Sequence, residues 1–415
     1  MKPTFRLSAR RSRPLKLVGV VTLWYTTGCV AGPTYIVNTT ADLVDASPGD
    51  GVCASASGTC SLRAAIQEAN ATPGGNNIRV PPGTYTLTIA EPGNGGITGG
   101  DLDVTDTLRL GPTGASKPVI AAGGEFRVFE LDAGFVRLDS LVIRNGDAQG
   151  QLEGGGLLIT AGTLVWGFYL DIRDNRAFSR GGGVMSYGSL VLFDSQIRDN
   201  EVAARGGGVR ASATAITTLW YSTVSGNVAN IGGGIHNDGT LSVFNSTVSG
   251  NTAEFGGGGM YSAGIATLAN ATIAFNQSTN NEPERTGGVW VGDDGDMTIR
   301  NTIIARNDNT FPGMPNDCSG TLLSQGYNLV QDASGCTIAG TLTGNILGQD
   351  PLLGPLQVNG AGTPTHALSL SPGSPALGAG NPAVPGSPPP ACWADDQRHQ
   401  TRGNCAIGAY EPPGG

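Results

Sequence analysis

A repeat of about 25 residues is the feature that most restricts how this chain can fold. Runs of two to four glycines recur along the middle of the chain, and an apolar residue follows each run. The runs occupy positions 154–156, 181–183, 206–208, 232–234, 256–259 and 287–288. An asparagine recurs with the same period and forms a second column: Asn175, Asn200, Asn227, Asn251, Asn276 and Asn307. Such self-similarity is typical of proteins built from stacked structural units.

The residues between the two columns have the pattern of short strands. In residues 240–244, polar and apolar residues alternate with period two, which indicates a strand rather than a helix. A unit of this size cannot bury its apolar face alone, whereas stacked units paired in parallel bury a continuous core. The sequence therefore predicts an all-β fold, a single-stranded right-handed parallel β-helix of about ten coils.

Both columns have a physical role in such a fold. Stacked asparagine amides can form hydrogen bonds along the axis, and glycine permits positive φ or close backbone packing. Leucine-rich repeats are excluded because their leucine spacing is missing, and propeller blades need longer units. The 66 glycines do not follow a Gly-X-Y period, which excludes collagen. Charged residues make up only 14% of the chain, which argues against general disorder.

Residues 1–28 have the composition of a signal peptide. Six basic residues and no acidic residue accompany an apolar stretch over residues 17–25, which is too short to span a membrane. Cys29 follows in a sequence that resembles a bacterial lipobox, so lipidation at Cys29 is one expectation and ordinary cleavage near Ala31 is the alternative. Without this segment, 18 basic residues remain against 33 acidic ones, and the net charge changes from −9 to −15. Nucleic-acid binding is not expected of such an acidic chain.

The other six cysteines form three local pairs along the sequence. They are Cys53 with Cys60, Cys318 with Cys336, and Cys392 with Cys405. An oxidising compartment favours three short-range disulfides. Zinc is the alternative, but the sequence contains no Cys-x-x-Cys and no histidine at ligand spacing near a cysteine.

An amphipathic helix is predicted within residues 59–71, with Ser61 as its N-cap, where it would plug the first coil. Here the sequence resembles bacterial exported proteins that combine an N-terminal CSLREA domain, right-handed β-helix repeats and a C-terminal choice-of-anchor domain. The repeats are also similar to those of chlamydial polymorphic outer-membrane proteins, without their Phe column. The resemblance to the first family rests on residues 50–53, 60–71, 80–85, 100–105, 350–356, 364–368, 374–376 and 405–411.

The resemblance implies a division of the chain. A CSLREA-like cap and first strands span residues 33–100, the repeats span 101–345, and an irregular, disulfide-bearing cap spans 346–415. The sequence departs from the family pattern at Ala64, Gly378 and Ala406. At Ala64 the departure removes the side chain that would complete a capping box with Ser61. The apolar anchor that often follows the last domain in this family is not expected here, which gives more weight to Cys29 or to simple secretion.

Two groups of acidic residues are candidate Ca²⁺ ligands. Asp101 and Asp103 lie two residues apart on one face of a predicted strand, whereas Asp293, Asp294 and Asp296 lie in a glycine-containing turn. A structural role for the first group and a hydrated turn for the second are the alternatives. Apart from Ca²⁺, no cofactor is expected.

No catalytic site is evident in the sequence. His236 follows a glycine triplet and is expected to be a solvent-facing turn residue. Arg173, Arg198 and Arg210 fall on coils, but no acidic column is expected beside them. The Gly-His-Gly and Arg-Ile-Lys signatures of polygalacturonases are missing.

These observations predict an exported protein of the cell envelope or medium with a structural or adhesin-like role. Its partner would be an extracellular glycan or the surface of a host or neighbouring cell, and membrane contact would occur only through a lipid at Cys29. The alternative is a pectate-lyase-like enzyme, or a carbohydrate binder, acting on uronate polymers with Ca²⁺. Convergence of Asp, Glu and Arg from successive coils in one groove would favour that alternative.

Overall fold

The chain winds into a parallel β-helix whose coils contribute strands to stacked sheets. The structure is a computed structural model, and it describes residues 32–89, 100–123, 126–148, 153–279, 285–313, 316–360, 362–368, 373–389 and 391–413. We number the sheets in the order in which the chain visits them within one coil. Sheets 1 and 2 share the strand Cys318–Gln325 and together form one 20-stranded sheet.

The strands of each sheet are as follows. Sheet 1 contains Leu102–Val104, Phe129–Leu131, Leu157–Ile159, Val184–Ser186, Val209–Ala211, Ile235–Asn237, Met260–Ser262, Val289–Val291 and the start of Cys318–Gln325. Sheet 2 contains Thr34–Ile36, Asn76–Val80, Leu108–Pro112, Phe135–Asp139, Leu164–Phe168, Ser189–Phe193, Ile216–Trp220, Thr240–Phe244, Ile265–Ala269, Asp296–Arg300, the rest of Cys318–Gln325, and Cys336–Thr341.

The remaining sheets are narrower. Sheet 3 contains Thr84–Leu87, Val119–Ala122, Val142–Arg144, Asp171–Arg173, Gln196–Arg198, Thr223–Ser225, Thr247–Ser249, Thr272–Ala274, Ile303–Ala305, Leu329–Val330 and Ile346–Leu347. Sheet 4 contains Asp147–Ala148, Arg176–Ala177, Glu201–Val202, Val228–Ile231, Thr252–Gly256, Gln277–Ser278 and Asp308–Asn309. An antiparallel pair, Leu353–Gln357 with Thr365–Leu368, follows the coils.

The predicted fold class is confirmed. From Leu102–Val104 through Ile303–Ala305, eight successive coils each give one separate strand to sheets 1, 2 and 3. Incomplete coils at both ends bring sheet 3 to 11 strands, which brackets the expected number of about ten coils. A right-handed path is the one that connections between parallel strands almost always take.

Alternate side chains of each strand point inward and form one continuous apolar core. In one coil, Val184, Leu190, Leu192 and Ile197 are completely buried. The next coil follows in strict register, with Leu219 beside Leu192 and the buried Thr217 beside Leu190. Burying each aliphatic side chain of this size contributes about 1.5–3 kcal/mol.

The asparagine column forms a hydrogen-bonded ladder inside the β-helix. Asn200 Oδ1 accepts hydrogen bonds from the Nδ2 and the backbone N–H of Asn175, at 2.9 and 3.1 Å. Asn200 Nδ2 in turn donates to Asn227 Oδ1 at 2.9 Å and to the Ile172 carbonyl at 3.0 Å. All six asparagines of the column are buried, and the same pattern continues through Asn251, Asn276 and Asn307.

The glycine column makes room for this ladder. A Cβ added to Gly208, the third glycine of its triplet, would lie 3.0 Å from Asn227 Nδ2 and 2.6 Å from the Gly234 carbonyl oxygen. The first glycine of the same triplet, Gly206, has a φ of +71°, a conformation that other residues adopt only with strain. The two sequence columns therefore depend on each other.

We expect Asn227→Ala to lower the free energy of unfolding by about 3 kcal/mol or more, because it leaves several buried hydrogen-bonding groups without partners. Chemical denaturation would measure the change. Asn230→Ala, on the outer strand Val228–Ile231, is the control and should change stability by less than about 0.5 kcal/mol. Equal losses in the two variants would contradict a structural role for the ladder.

The ladder ends on a carboxylate. Asp317 Oδ1 accepts hydrogen bonds from the Nδ2 and the backbone N–H of Asn307, at 2.8 and 3.0 Å. Its Oδ2 accepts the backbone N–H of Asp332 at 2.7 Å. Burial raises the pKa of Asp317 to about 6, although these hydrogen bonds act in the opposite direction.

This pKa predicts a pH dependence of stability. Between pH 3.8 and about 6, Asp317 holds a proton in the folded state that the unfolded state has lost. Its contribution to stability is therefore present below this range and falls by about 3 kcal/mol as pH rises through it. Asp317→Asn should lessen the slope of the unfolding free energy between pH 4 and 7 and leave the part due to Asp101, whose pKa is raised to about 7, whereas the exposed control Asp308→Asn should keep the full slope. An unchanged slope in Asp317→Asn would refute the assignment.

The first coil is covered by a helix, Leu62–Ala71, as predicted. Ser61 caps it, because its hydroxyl oxygen accepts the Ala64 N–H at 3.0 Å. Arg63 is completely buried, pairs with Asp42 at 2.7 Å, and donates to the Gly100 and Asp101 carbonyl groups. The cap is thus fixed to the β-helix by polar contacts as well as by apolar packing. No described helix is long and apolar enough to cross a membrane.

The described residues between 351 and 413 run back along the side of the β-helix, and we call them the arm. Gln397 is completely buried at this interface, where its Nε2 donates to Thr223 Oγ1 at 2.9 Å and its Oε1 accepts from Thr247 Oγ1 at 2.6 Å. Arg402, also buried, donates to Asn245 Oδ1 at 3.2 Å. The arm therefore covers sheet 3 laterally, whereas no residue of the last strand of sheet 2, Cys336–Thr341, is fully buried.

Candidate functional site

The cysteines that pair in sequence are joined in the structure. Disulfides connect Cys53 with Cys60, Cys318 with Cys336, and Cys392 with Cys405. The first lies beside the capping helix, the second joins the last two strands of sheet 2, and the third lies within the arm. These residues and the asparagine ladder are structural. Cys29 and residues 1–28 lie outside the described residues.

Asp101 and Asp103 lie together, and the structure adds a third carboxylate, Glu130. Glu130 is the register partner of Asp103 on the next strand of sheet 1, and the three groups offer ligand atoms within 4.8 Å of one another. Arg127 lies among them, with Nε 3.1 Å from Asp101 Oδ2 and Nη1 2.9 Å from Glu130 Oε2. Burial raises the pKa of Asp101 to about 7, against the opposing effect of Arg127.

This cluster does not fit a Ca²⁺ site while Arg127 occupies it. Calcium takes six to eight oxygen ligands, whereas two of the three carboxylates here already pair with a guanidinium group. The second acidic group is not gathered at all: Asp293, Asp294 and Asp296 are exposed in and after a turn, and they belong to no metal-ligand cluster among the described residues.

We therefore expect Ca²⁺ to leave the melting temperature of the wild-type protein unchanged. Arg127→Gln would leave the three carboxylates without their cation, so this variant should melt at a lower temperature and regain stability when millimolar Ca²⁺ is added. Mg²⁺ serves as the control ion in the same thermal shift measurement. A Ca²⁺-dependent rise in the wild type would show that the cluster binds calcium in spite of Arg127.

The expectation for His236 is wrong. His236 lies in the strand Ile235–Asn237 and is buried, with its Nε2 3.2 Å from Asp238 Oδ1. Arg210, its register partner on the preceding coil, pairs with the same carboxylate. Burial lowers the pKa of His236, and burial likewise lowers the pKa of Arg210. A glycine run indicates a turn. It does not reveal that the second residue after the run lies in a strand and that its outward-pointing side chain is buried by neighbouring residues.

The coil arginines pair with single acidic residues rather than with an acidic column, since Asp171 has Val142 and Gln196 as its register partners. Arg173 and Arg198 both pair with Asp171, at 3.2 and 3.0 Å, and Arg198 pairs with Asp199 at 2.9 Å. The sequence conceals these pairs because Asp171 lies two residues from Arg173 but 27 residues from Arg198. Together with Asp174, which also pairs with Arg173, they form an ion-pair network on the outer face of sheet 3.

Four aromatic side chains on sheet 2 form a row that sequence reasoning missed. Phe168, Phe193, Trp220 and Phe244 are register partners on four adjacent strands, and we call them the aromatic row. They point outward, because their inward neighbours belong to the core, and all four are half-buried. The rings of Phe168 and Phe193 stack with centroids 5.0 Å apart, and those of Trp220 and Phe244 lie 4.6 Å apart.

Polar side chains flank the aromatic row on one side, and a further aromatic ring from the arm packs on its last two members. Thr218 and Ser242, half-exposed, are register partners beside Trp220 and Phe244. Trp393 of the arm packs on the row, 4.9 Å from Trp220 and 5.7 Å from Phe244. The signal in the sequence was an aromatic residue at the last position of four successive sheet 2 strands. The repeat thus places four rings along one outer edge, and the arm adds a fifth, Trp393.

The comparisons with known proteins give little beyond architecture. No family model matches the chain, and no curated protein matches it. Among solved structures, the chain is similar to the crystal structure of pectate lyase Pel9A, with a TM-score of 0.45 and 13% sequence identity. That similarity covers 92% of this chain and 96% of the other. No conclusion about activity follows from a match at this level.

Proposed function

We propose that this protein is an exported β-helix protein that binds an extracellular glycan through the aromatic row, in an adhesin-like role without catalysis. The observation that carries the proposal is the alignment of Phe168, Phe193, Trp220 and Phe244 in register on the outer face of sheet 2. Half-exposed aromatic rings in a continuous row mark an interaction surface rather than a packed core.

The chemistry of the row suits a polysaccharide chain. The C–H faces of sugar rings stack on aromatic rings, while sugar hydroxyls need hydrogen-bonding partners, which Thr218 and Ser242 offer. Adjacent coils are about 4.8 Å apart, close to the length of one sugar unit in an extended chain. A linear glycan lying along the row could therefore contact one aromatic side chain per unit, with Phe168 and Phe193 offering their ring edges because their faces stack on each other.

Export is proposed on independent grounds. Three disulfides are consistent with an oxidising compartment. The basic leader of residues 1–28 and the lipobox-like residues before Cys29 support secretion or attachment to a membrane face through lipid. The resemblance to CSLREA and choice-of-anchor proteins points the same way.

A glycan array probed with the exported chain tests the proposal. We expect binding to a linear neutral polysaccharide, with at least a tenfold loss in Trp220→Ala and Phe193→Ala, since each stacked ring contributes on the order of 1 kcal/mol or more. Phe178→Ala removes an exposed aromatic ring that lies outside the row and is the matched control. Unchanged binding in both row variants, or equal loss in the control, would contradict the proposal.

An enzymatic role is examined with the same preparations. Polygalacturonate is incubated with the protein, with and without Ca²⁺, and the absorbance of unsaturated uronides is followed. We expect no turnover. Clear Ca²⁺-dependent product formation would replace the adhesin-like proposal by the pectate-lyase-like alternative.

A further inference from the structure

A second outward row, on sheet 1, carries charges and aromatic rings from adjacent coils. Arg210, His236, Tyr261 and Trp290 are successive register partners. The flank of this row is formed by Arg180 and Arg205, which are themselves paired by a parallel bridge. Arginines from neighbouring coils are thus placed beside two aromatic rings, on a different sheet from the aromatic row.

The charges of this cluster are not balanced. Arg180 pairs with Glu153 at 2.8 Å, and Arg210 pairs with Asp238, which also meets His236. Arg205 is exposed and has no ion pair or side-chain hydrogen bond within the described part of the chain. Arg205 therefore supplies a cation without an ion pair to this patch, in a chain whose net charge is −9.

A buried donor accompanies this cation. Arg210 is only 5% exposed, and its Nε has no hydrogen-bond acceptor among the described residues. A buried guanidinium N–H without an acceptor is costly, and an oxyanion is the acceptor that Arg binds best. The positive charges of Arg205 and Arg180 lie close enough to add to the effect of burial in lowering the pKa of Arg210.

The aromatic side of the patch is held in a fixed geometry. The rings of Tyr261 and Trp290 meet edge to face at 4.6 Å, and the guanidinium group of Arg285 lies 5.3 Å from the Trp290 ring. A Cβ at Gly292 would come within 2.7 Å of the Tyr261 hydroxyl, so glycine there leaves room for the ring. Both aromatic side chains remain half-exposed.

We propose that this patch binds a sugar that carries a sulfate or phosphate ester, with the oxyanion on Arg205 and Arg210 and the sugar ring against Tyr261. Guanidinium groups bind such oxyanions through charge-assisted hydrogen bonds. The adjoining aromatic ring supplies the apolar contact that a free inorganic ion does not use. The site is independent of the aromatic row on sheet 2.

Isothermal titration of the protein with glucose 6-sulfate, glucose 6-phosphate, inorganic sulfate, inorganic phosphate and glucose tests the assignment. We expect the two esters to bind at least tenfold more tightly than the inorganic ions, and glucose to show no binding. Arg205→Ala should weaken ester binding at least tenfold, and Arg205→Lys should restore part of the loss. The control is Arg176→Ala, an exposed arginine on sheet 4 that pairs with Glu201 at 3.4 Å.

Several outcomes would overturn the proposal: equal binding of glucose and its esters, ester binding that is unaffected by Arg205→Ala, or an equal loss in Arg176→Ala. The ester that binds more tightly shows whether the site is adapted to a sulfated or to a phosphorylated sugar. Because Arg205 is exposed, its substitution leaves the core intact, as the melting temperature would verify. Trp220→Ala should leave ester binding unchanged, so failure here and failure of the glycan proposal are distinguishable.

Discussion

The close fit between the glycine column and the asparagine ladder is the constraint on which the rest of this structure depends. Each ladder amide uses its oxygen and its NH₂ group to connect neighbouring coils, and the third glycine of each triplet leaves space for it. Neither column tolerates a shift by one residue, because a one-residue slip would exchange inward and outward side chains along every strand. The ladder therefore fixes the register of the coils from Asn175 to Asn307.

A fixed register turns the outer surface into rows. Every outward position recurs one strand spacing away on the next coil, so a residue type repeated in sequence becomes a continuous line in space. On sheet 2 this produces the aromatic row. On sheet 1, the outward row that contains Arg210 and His236 begins with the carboxylates Asp103 and Glu130 and continues through Tyr261 and Trp290 to Ser319. Binding chemistry can vary along these rows while the core stays unchanged.

The arm also packs on side chains that recur in register from coil to coil. One outward row of sheet 3 carries Arg144, Arg173 and Arg198 on three successive coils and continues with Ser225 and Ser249 where the arm approaches. The arginines of this row belong to the ion-pair network. The serines lie where the arm packs against sheet 3. His366, for example, lies 2.7 Å from the Ser249 hydroxyl. A buried interface of this kind is specific because its polar groups find partners.

The sequence alone determined the parallel β-helix, the asparagine and glycine columns, the helical cap with Ser61, and the local pairing of the cysteines. Those features depend on periodicity and on neighbours close in the chain, which a sequence records directly. Only the tertiary structure decided that His236 is buried, that Glu130 and Arg127 join Asp101, and that the arm lies along sheet 3. Each of these contacts depends on which neighbouring coil or segment packs against an outward-pointing side chain. The period-two alternation shows only that a side chain points outward, not what packs against it.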